Sequence, residues 1–285
     1  MFDAAVTQTS QAEAAPMQRA LGEACVTFKH DGSKTRLDDL YQCGSAKFRL
    51  PIVYDGIPVA VLINTAGGIT GGDIYKYDAR VASNGHAIVT SQAAERAYRR
   101  SGGIGKIAVT LSAGEGATLE WLPQETILFN ASALHRSMTV DLDETARYMA
   151  LESVVLGRTA MGETIDTVSF RDSWRIRRNG KLIFADDVRL EGDTKDILKG
   201  TATTGGGLAF ATLVECAADA DNRLELARQA LEPFTHGTNV RAAASSWNGV
   251  LVARFVATDG RALRDALMIF LETYRSAPLP RVWHC

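Results

Sequence analysis

The chain has 285 residues, 46% of them hydrophobic and 22% charged, with a formal net charge of −2. That length allows one large domain or two small ones, and that composition supports a real buried core. A nearly balanced charge excludes a broad basic surface for nucleic acid, and no acidic tail is present.

The N-terminus reads MFDAAVTQTSQAEAAPMQ. It has neither a basic start nor an apolar core, so it predicts no secretory signal, and no apolar run is long enough to span a bilayer. Residues 1–24, rich in Ala, Gln, Thr and Ser, read as a mobile tail, and residues 25–285 as a single domain. The four cysteines, Cys25, Cys43, Cys216 and Cys285, form no C-x-x-C pair. Scattered reduced thiols in a cytoplasmic protein are the expectation.

From about position 26 to 216 the pattern is dominated by strands. Residues 58–63 (PVAVLI) form a continuous apolar run, as a strand buried on both faces would. Residues 63–73 read INTAGGITGGD, a glycine turn closed by Asp73. The segment after it, IYKYDARVA, alternates as a strand does. Further strands are expected over residues 106–112, over 117–129 with a break at Pro123, and over 137–142 and 149–156. Trp174, Ile176 and Arg178 alternate towards Asn179-Gly180, a hairpin signal, and residues 181–184 leave that turn. The basic runs RAYRR (96–100) and RIRR (175–178) lie in strand-like segments and read as solvated faces.

The last third changes period. Residues 221–234 place Leu224, Ala227, Leu231 and Phe234 on one helical face, with Asp221 in position to cap it. Residues 250–257 read as a strand. Residues 261–275 set Leu263, Leu267, Phe270, Leu271 and Tyr274 at helical spacing. The strands are many, their turns recur at short intervals, and no fixed repeat length emerges. The expected architecture is mainly β: a sandwich or irregular stack of strands carrying two helices near the C-terminus.

The glycine turn has the wrong register for a dinucleotide fingerprint and leads into a strand rather than a helix. Neither it nor TTGGG (203–207) is followed by the lysine of a phosphate loop. No G-x-S-x-G occurs, and the five histidines form no metal-binding spacing. His284-Cys285 has metal-binding side chains but reads as a frayed terminus. What remains are carboxylates in apolar strand segments: Glu95, Glu120, Glu125, Glu152 and Asp186. A buried carboxylate must be paired, hydrogen-bonded, protonated or metal-bound. Several along one interior path would cost stability and help a cation pass.

With these segments in place, the chain resembles the UreD (UreH) family of urease accessory proteins. The resemblance is carried by NTAGGITGGD (64–73), TSQAAERAYR (90–99), LEWLPQETILF (119–129), LGRTAMGE (156–163) and LPRVW (279–283). It implies a β-helix-like stack of strands with two helices near the C-terminus, and no catalytic activity. It further implies a cytoplasmic complex with UreF and, through that complex, the GTPase UreG, with a homodimer possible within it. The complex would dock on apo-urease and help deliver nickel to its active site. No cofactor would be tightly bound, and nickel would pass transiently. On the matching positions the resemblance puts Asp73, Glu95, Glu152 and Asp186 along the nickel path. Two other readings stay open: a β-sandwich hydrolase using paired carboxylates, and a docking scaffold that never touches nickel.

Overall fold

The computed structural model describes residues 18–53, 56–157, 163–235 and 239–284. In chain order its strands are β1 (Leu21–His30), β2 (Thr35–Gly44), β3 (Ala46–Arg49), β4 (Val59–Asn64), β5 (Ile74–Val81) and β6 (His86–Ser91). Then come β7 (Glu95–Ala97), β8 (Gly105–Ala113), β9 (Thr118–Leu122), β10 (Thr126–Leu128), β11 (Ala133–Leu142) and β12 (Arg147–Leu156). The remainder are β13 (Thr167–Arg178), β14 (Lys181–Asp193), β15 (Ala209–Cys216), β16 (Val240–Trp247) and β17 (Val250–Ala257). The helices are α1 (Thr194–Lys199), α2 (Leu224–Thr235) and α3 (Gly260–Arg275).

The strands form two sheets. The seven-stranded sheet runs β14-β13-β11-β8-β5-β1-β2, and β1, β5, β8, β11 and β13 are mutually parallel. In the ten-stranded sheet the parallel run is β4-β6-β9-β12, extended antiparallel through β15, β17 and β16. The chain thus winds as stacked coils, each crossing from one sheet to the other through a short turn. The turns stack too: Asn84 N donates to Glu115 O, Thr118 N to Gly85 O and Arg147 N to Ala117 O. This is a β-solenoid-like stack, in agreement with the expectation from the sequence.

Burial explains the two hydrophobic patterns. The seven-stranded sheet has one face on the core and one in solvent, so β8 alternates strictly between buried and open positions. The ten-stranded sheet is covered on both faces, so in β12 every position from Tyr148 to Leu156 is buried. Strands buried on both sides read as unbroken apolar runs. One face packs against the seven-stranded sheet through Val26, Tyr75, Leu111, Val140 and Ile176. The other packs under α2 and α3 through Ala227, Leu231, Leu267 and Phe270.

Helix α3 is also clamped by charge. Arg264 donates to Glu125 Oε2 at 3.1 Å, and Arg275 Nε to Glu120 Oε2 at 2.5 Å, so two ion pairs tie the helix to the β9–β10 coil. Trp283 completes the seam, its indole N–H reaching Leu122 O at 3.2 Å.

Several local expectations change. The ordered body begins before position 25, because Leu21–Ala24 belong to β1, where Ala24 is buried and Gly22 and Ala24 pair with β5. Residues 1–17 of the expected tail lie outside the described residues, as do Cys285 and most of the LGRTAMGE segment. Asp221 does not cap α2. It sits inside a short 3-10 turn, and its carboxylate accepts from Gly249 N at 2.7 Å, so it pins the β16–β17 turn instead. Asp259 is a true cap, accepting from Ala262 N at the start of α3. The Asn179-Gly180 turn joins β13 and β14 with φ of 46° and 76°, the left-handed pair that a tight hairpin needs.

Candidate functional site

The glycine turn is built for close backbone approach. A Cβ on Gly71 would stand 2.2 Å from Gly102 O, and Gly72 has φ +95°. Only glycine meets both demands cheaply. Asp73 closes the turn with both oxygens on backbone amides: Oδ1 accepts from Ala20 N and Oδ2 from Thr70 N, each at 2.8 Å. It therefore staples the start of β1 to the turn. It lines neither of the inner cavities described next.

The other three acids expected from the sequence line two adjoining cavities, Glu95 and Glu152 the first, Glu152 and Asp186 the second. A cavity of about 200 Å³ between the sheets is lined by Tyr77, Glu95, Trp121, Gln124, Arg136 and Glu152, among others. A narrow gap of about 10 Å³, near the lower limit for one water, lies beyond it. The gap is lined by Arg136, Glu152, Asp172, Trp174 and Asp186. Arg136 and Glu152 belong to both, so the ion pair is the shared wall.

Glu95 starts β7 at the large cavity. Its carboxylate accepts from Asn64 Nδ2 at 3.2 Å and from Arg96 N at 3.1 Å. Asn64, the first residue of the glycine segment, also accepts from the Tyr75 hydroxyl at 2.8 Å. Burial outweighs these hydrogen bonds and pushes the Glu95 carboxyl up to about 7.

Glu152, on β12, is buried. Trp121 Nε1 donates to its Oε1 at 2.8 Å and Arg136 NH1 to its Oε2. Arg136, on β11, also grips Asp172 of β13, Nε to Oδ1 at 3.0 Å and NH2 to Oδ2 at 2.6 Å. It further donates to Thr126 Oγ1, and Trp174 Nε1 donates to Asp172 Oδ2 at 3.1 Å. One buried guanidinium thus faces two carboxylates and can balance the charge of only one of them. Burial, reinforced by Asp172 and opposed by Arg136, pushes Glu152 up to about 7. The same two carboxylates hold the Arg136 guanidinium firmly protonated despite its burial.

Asp186, on β14, stands at the far end. Its Oδ2 accepts from Arg254 NH2 at 2.8 Å, and its side chain is 20% exposed. The line therefore runs from Glu95 through Glu152 and Asp172 to Asp186, which is part-open to solvent.

Arg136, Asp172 and the indoles of Trp121 and Trp174 were not singled out by the sequence. Arg136 stands between the buried Ala133–Leu134 start and Met138 of β11, at an inward position where charge is costly. That mismatch with its neighbours was the available signal. The remaining acids are structural: Glu120 is held by His86 and Arg275, which outweigh its burial and lower it, and Glu125 by Arg264. Glu215, fully buried, accepts from Arg147 NH1 at 2.6 Å, Arg223 NH1 at 2.7 Å and the Tyr274 hydroxyl, tying α3 to β15. Among the described residues no three His, Cys, Asp or Glu side chains converge on a metal-sized point.

A stacked-coil β-solenoid with a helical cover and a buried acid–arginine chain is the class these features define. The family model described as UreD urease accessory protein matches residues 20–284. The chain belongs to that family. It is 43% identical over 277 residues to the urease accessory protein UreD of Rhizobium etli, covering 97% of this chain and 99% of the relative. The UreD of a Chelativorans strain is 44% identical over 279 residues, with 97% and 99% covered. That of Xanthobacter autotrophicus is 43% identical over 274 residues, with 96% and 93% covered.

Proposed function

We propose that the protein is a non-catalytic urease maturation factor of the cytoplasm that offers nickel an acidic passage. It would act with UreF and UreG while docked on apo-urease, with nickel as cargo rather than as a resident cofactor. The observation that carries this reading is the alignment of Glu95, Glu152 and Asp186 along two cavities that share the Arg136–Glu152 wall.

The chemistry favours transit over storage. A carboxylate offsets part of the cost of stripping water from a divalent cation, which is several kcal/mol or more. Glu95 and Glu152, pushed up to about 7, hold protons near neutral pH and can release them as a cation arrives. Nickel prefers imidazole and thiolate to isolated oxygen donors, so single acids bind it weakly enough to let it leave. The hydrolase reading is less well served. Every oxygen of the Glu152–Asp172 pair accepts a hydrogen bond from Arg136, Trp121 or Trp174, which leaves no free base.

The test is co-expression with the urease subunits, UreF and UreG, using Glu95→Gln, Glu152→Gln and Asp186→Asn. Each variant should be recovered in the accessory complex, while urease carries less nickel and less activity. Full nickel loading by all three would rule out the passage and leave a docking scaffold. Loss of the complex itself would move these residues to a folding or docking role.

A further inference from the structure

The outer face of the seven-stranded sheet carries a row of basic residues. The parallel register sets Lys106 of β8 opposite His135 of β11, and His135 opposite Arg171 of β13. The antiparallel register then sets Arg171 opposite Arg189 of β14. Neighbouring strands lie about 4.8 Å apart, and like charges directly opposite one another are destabilising. The adjacent row runs through Ala108, Ser137 and Ser173 to Asp187, whose carboxylate is taken by the Ser173 hydroxyl and Arg175, so it brings one already paired acid near Arg171.

Beside this row the surface is concave. A hollow of about 630 Å³ is lined by Arg100, His135, Ser169, Arg171, Arg189 and Glu191, among others. Glu191 is its one acidic lining residue, and Arg189 Nε already holds it at 2.8 Å. Among the described residues, the side chains of Arg100, Lys106 and Arg171 make no hydrogen bond or close ion pair, although Arg171 lies near enough to Glu191 and Asp187 to help lower both carboxyls. His135 feels this imbalance. Burial, then Arg171 and Lys106, against Glu191, hold its imidazole below the usual histidine range. A solvated basic face would spread its charges; here Arg100, Arg171 and Arg189 converge on one hollow, with Lys106 outside it. The hollow shares no lining residue with either inner cavity, so it stands apart from the proposed nickel passage.

We propose that this hollow binds a phosphate-class anion carrying two or more charges, a pyrophosphate group either free or as the tail of a nucleotide. Guanidinium forks match tetrahedral oxyanions two bonds at a time. Arg171, one strand spacing from Arg189, can take one phosphate of such a group, and Arg189 the other through the NH1 group that Glu191 leaves free. Arg100 closes the rim. A bound anion relieves the like-charge row, so it stabilises the folded chain by mass action.

The experiment is calorimetric titration of the full-length chain with pyrophosphate, with sulfate as the comparison anion, alongside thermal melts. Arg171→Gln is the test variant. Arg80→Gln, on the same sheet face but paired with Asp78, is the control. Pyrophosphate should bind saturably at one per chain and raise the melting temperature. Arg171→Gln should weaken it roughly tenfold or more while melting at or slightly above the parent's temperature without ligand. Arg80→Gln should bind as the parent does. Equal binding by the two variants, or sulfate binding as tightly as pyrophosphate, would overturn the site. A nucleoside diphosphate arm identifies the source: tighter binding than pyrophosphate points to a nucleotide tail, and equal or weaker binding to the free anion.

Discussion

Arg136 and Glu152 form an ion pair at the wall between the two inner cavities, with both side chains only 4% exposed. The pair is the point at which the protein's stability and its proposed cargo path meet. Arg136 balances one carboxylate of two, and burial raises Glu152 so that a proton offsets the second charge near neutral pH. Removing Arg136 therefore costs more than removing Glu152.

Arg136→Met should be among the most damaging single changes in the chain. It strips the counter-charge from both Glu152 and Asp172, and breaking a buried pair costs about 3–5 kcal/mol. Glu152→Gln should cost less, because Arg136 keeps Asp172. Urea denaturation midpoints of the two variants check the ranking, and equal midpoints would contradict it.

Glu95 sets a pH dependence. Its folded-state carboxyl lies at about 7, above the usual value near 4.3 for an unfolded glutamate. Between those values the folded state binds more protons, so this group makes stability fall as pH rises. Glu95→Gln removes the titration. The variant should match the parent at about pH 4 and below and be more stable than it at pH 8. Midpoints measured across that range test the sign.

Asp73 should behave as a staple. Asp73→Ala leaves Ala20 N and Thr70 N without their acceptor, at a cost of about 1–3 kcal/mol if both stay dry. Asp73→Asn keeps one acceptor oxygen but turns an amide N–H towards the other donor, so it should fall between parent and Ala. Since Asp73 lines neither inner cavity, neither variant should change the nickel carried per urease once folded protein is matched. A nickel deficit in Asp73→Asn at normal stability would place Asp73 on the route.

Trp283→Ala should loosen α3. The indole is buried, donates to Leu122 O, and lies under Arg264, whose guanidinium sits 5.4 Å from the ring centre. Truncating a buried tryptophan costs about 3–5 kcal/mol. Limited proteolysis should then cut near α3 faster than in the parent. Unchanged cleavage there would show that the C-terminal seam is not what holds the helix.

Much of the fold is written locally. Alternation in β8 and β11, the Asn179-Gly180 hairpin and the five-residue apolar face of α3 are all period signals, and period depends only on the chain's own geometry. The glycines of the 63–73 turn likewise announce a backbone that bulkier residues cannot follow. That a carboxylate in an unbroken apolar strand must find a partner was also legible at Glu152, and its burial follows from β12 being covered on both faces. Identity of the partner was not. Arg136 meets Glu152 and Asp172 only because the β11–β13 register and the facing sheets bring them together. Glu120 meets Arg275 across 155 residues of chain, and Asp186 meets Arg254 across 68. Period tells which way a side chain points; the coil register decides what it meets there. So sequence alone specified a β-rich stack with interior acids. Tertiary structure decided that three of them line two adjoining cavities, that Asp73 holds a turn, and that Lys106, Arg171 and Arg189 line up with His135 outside.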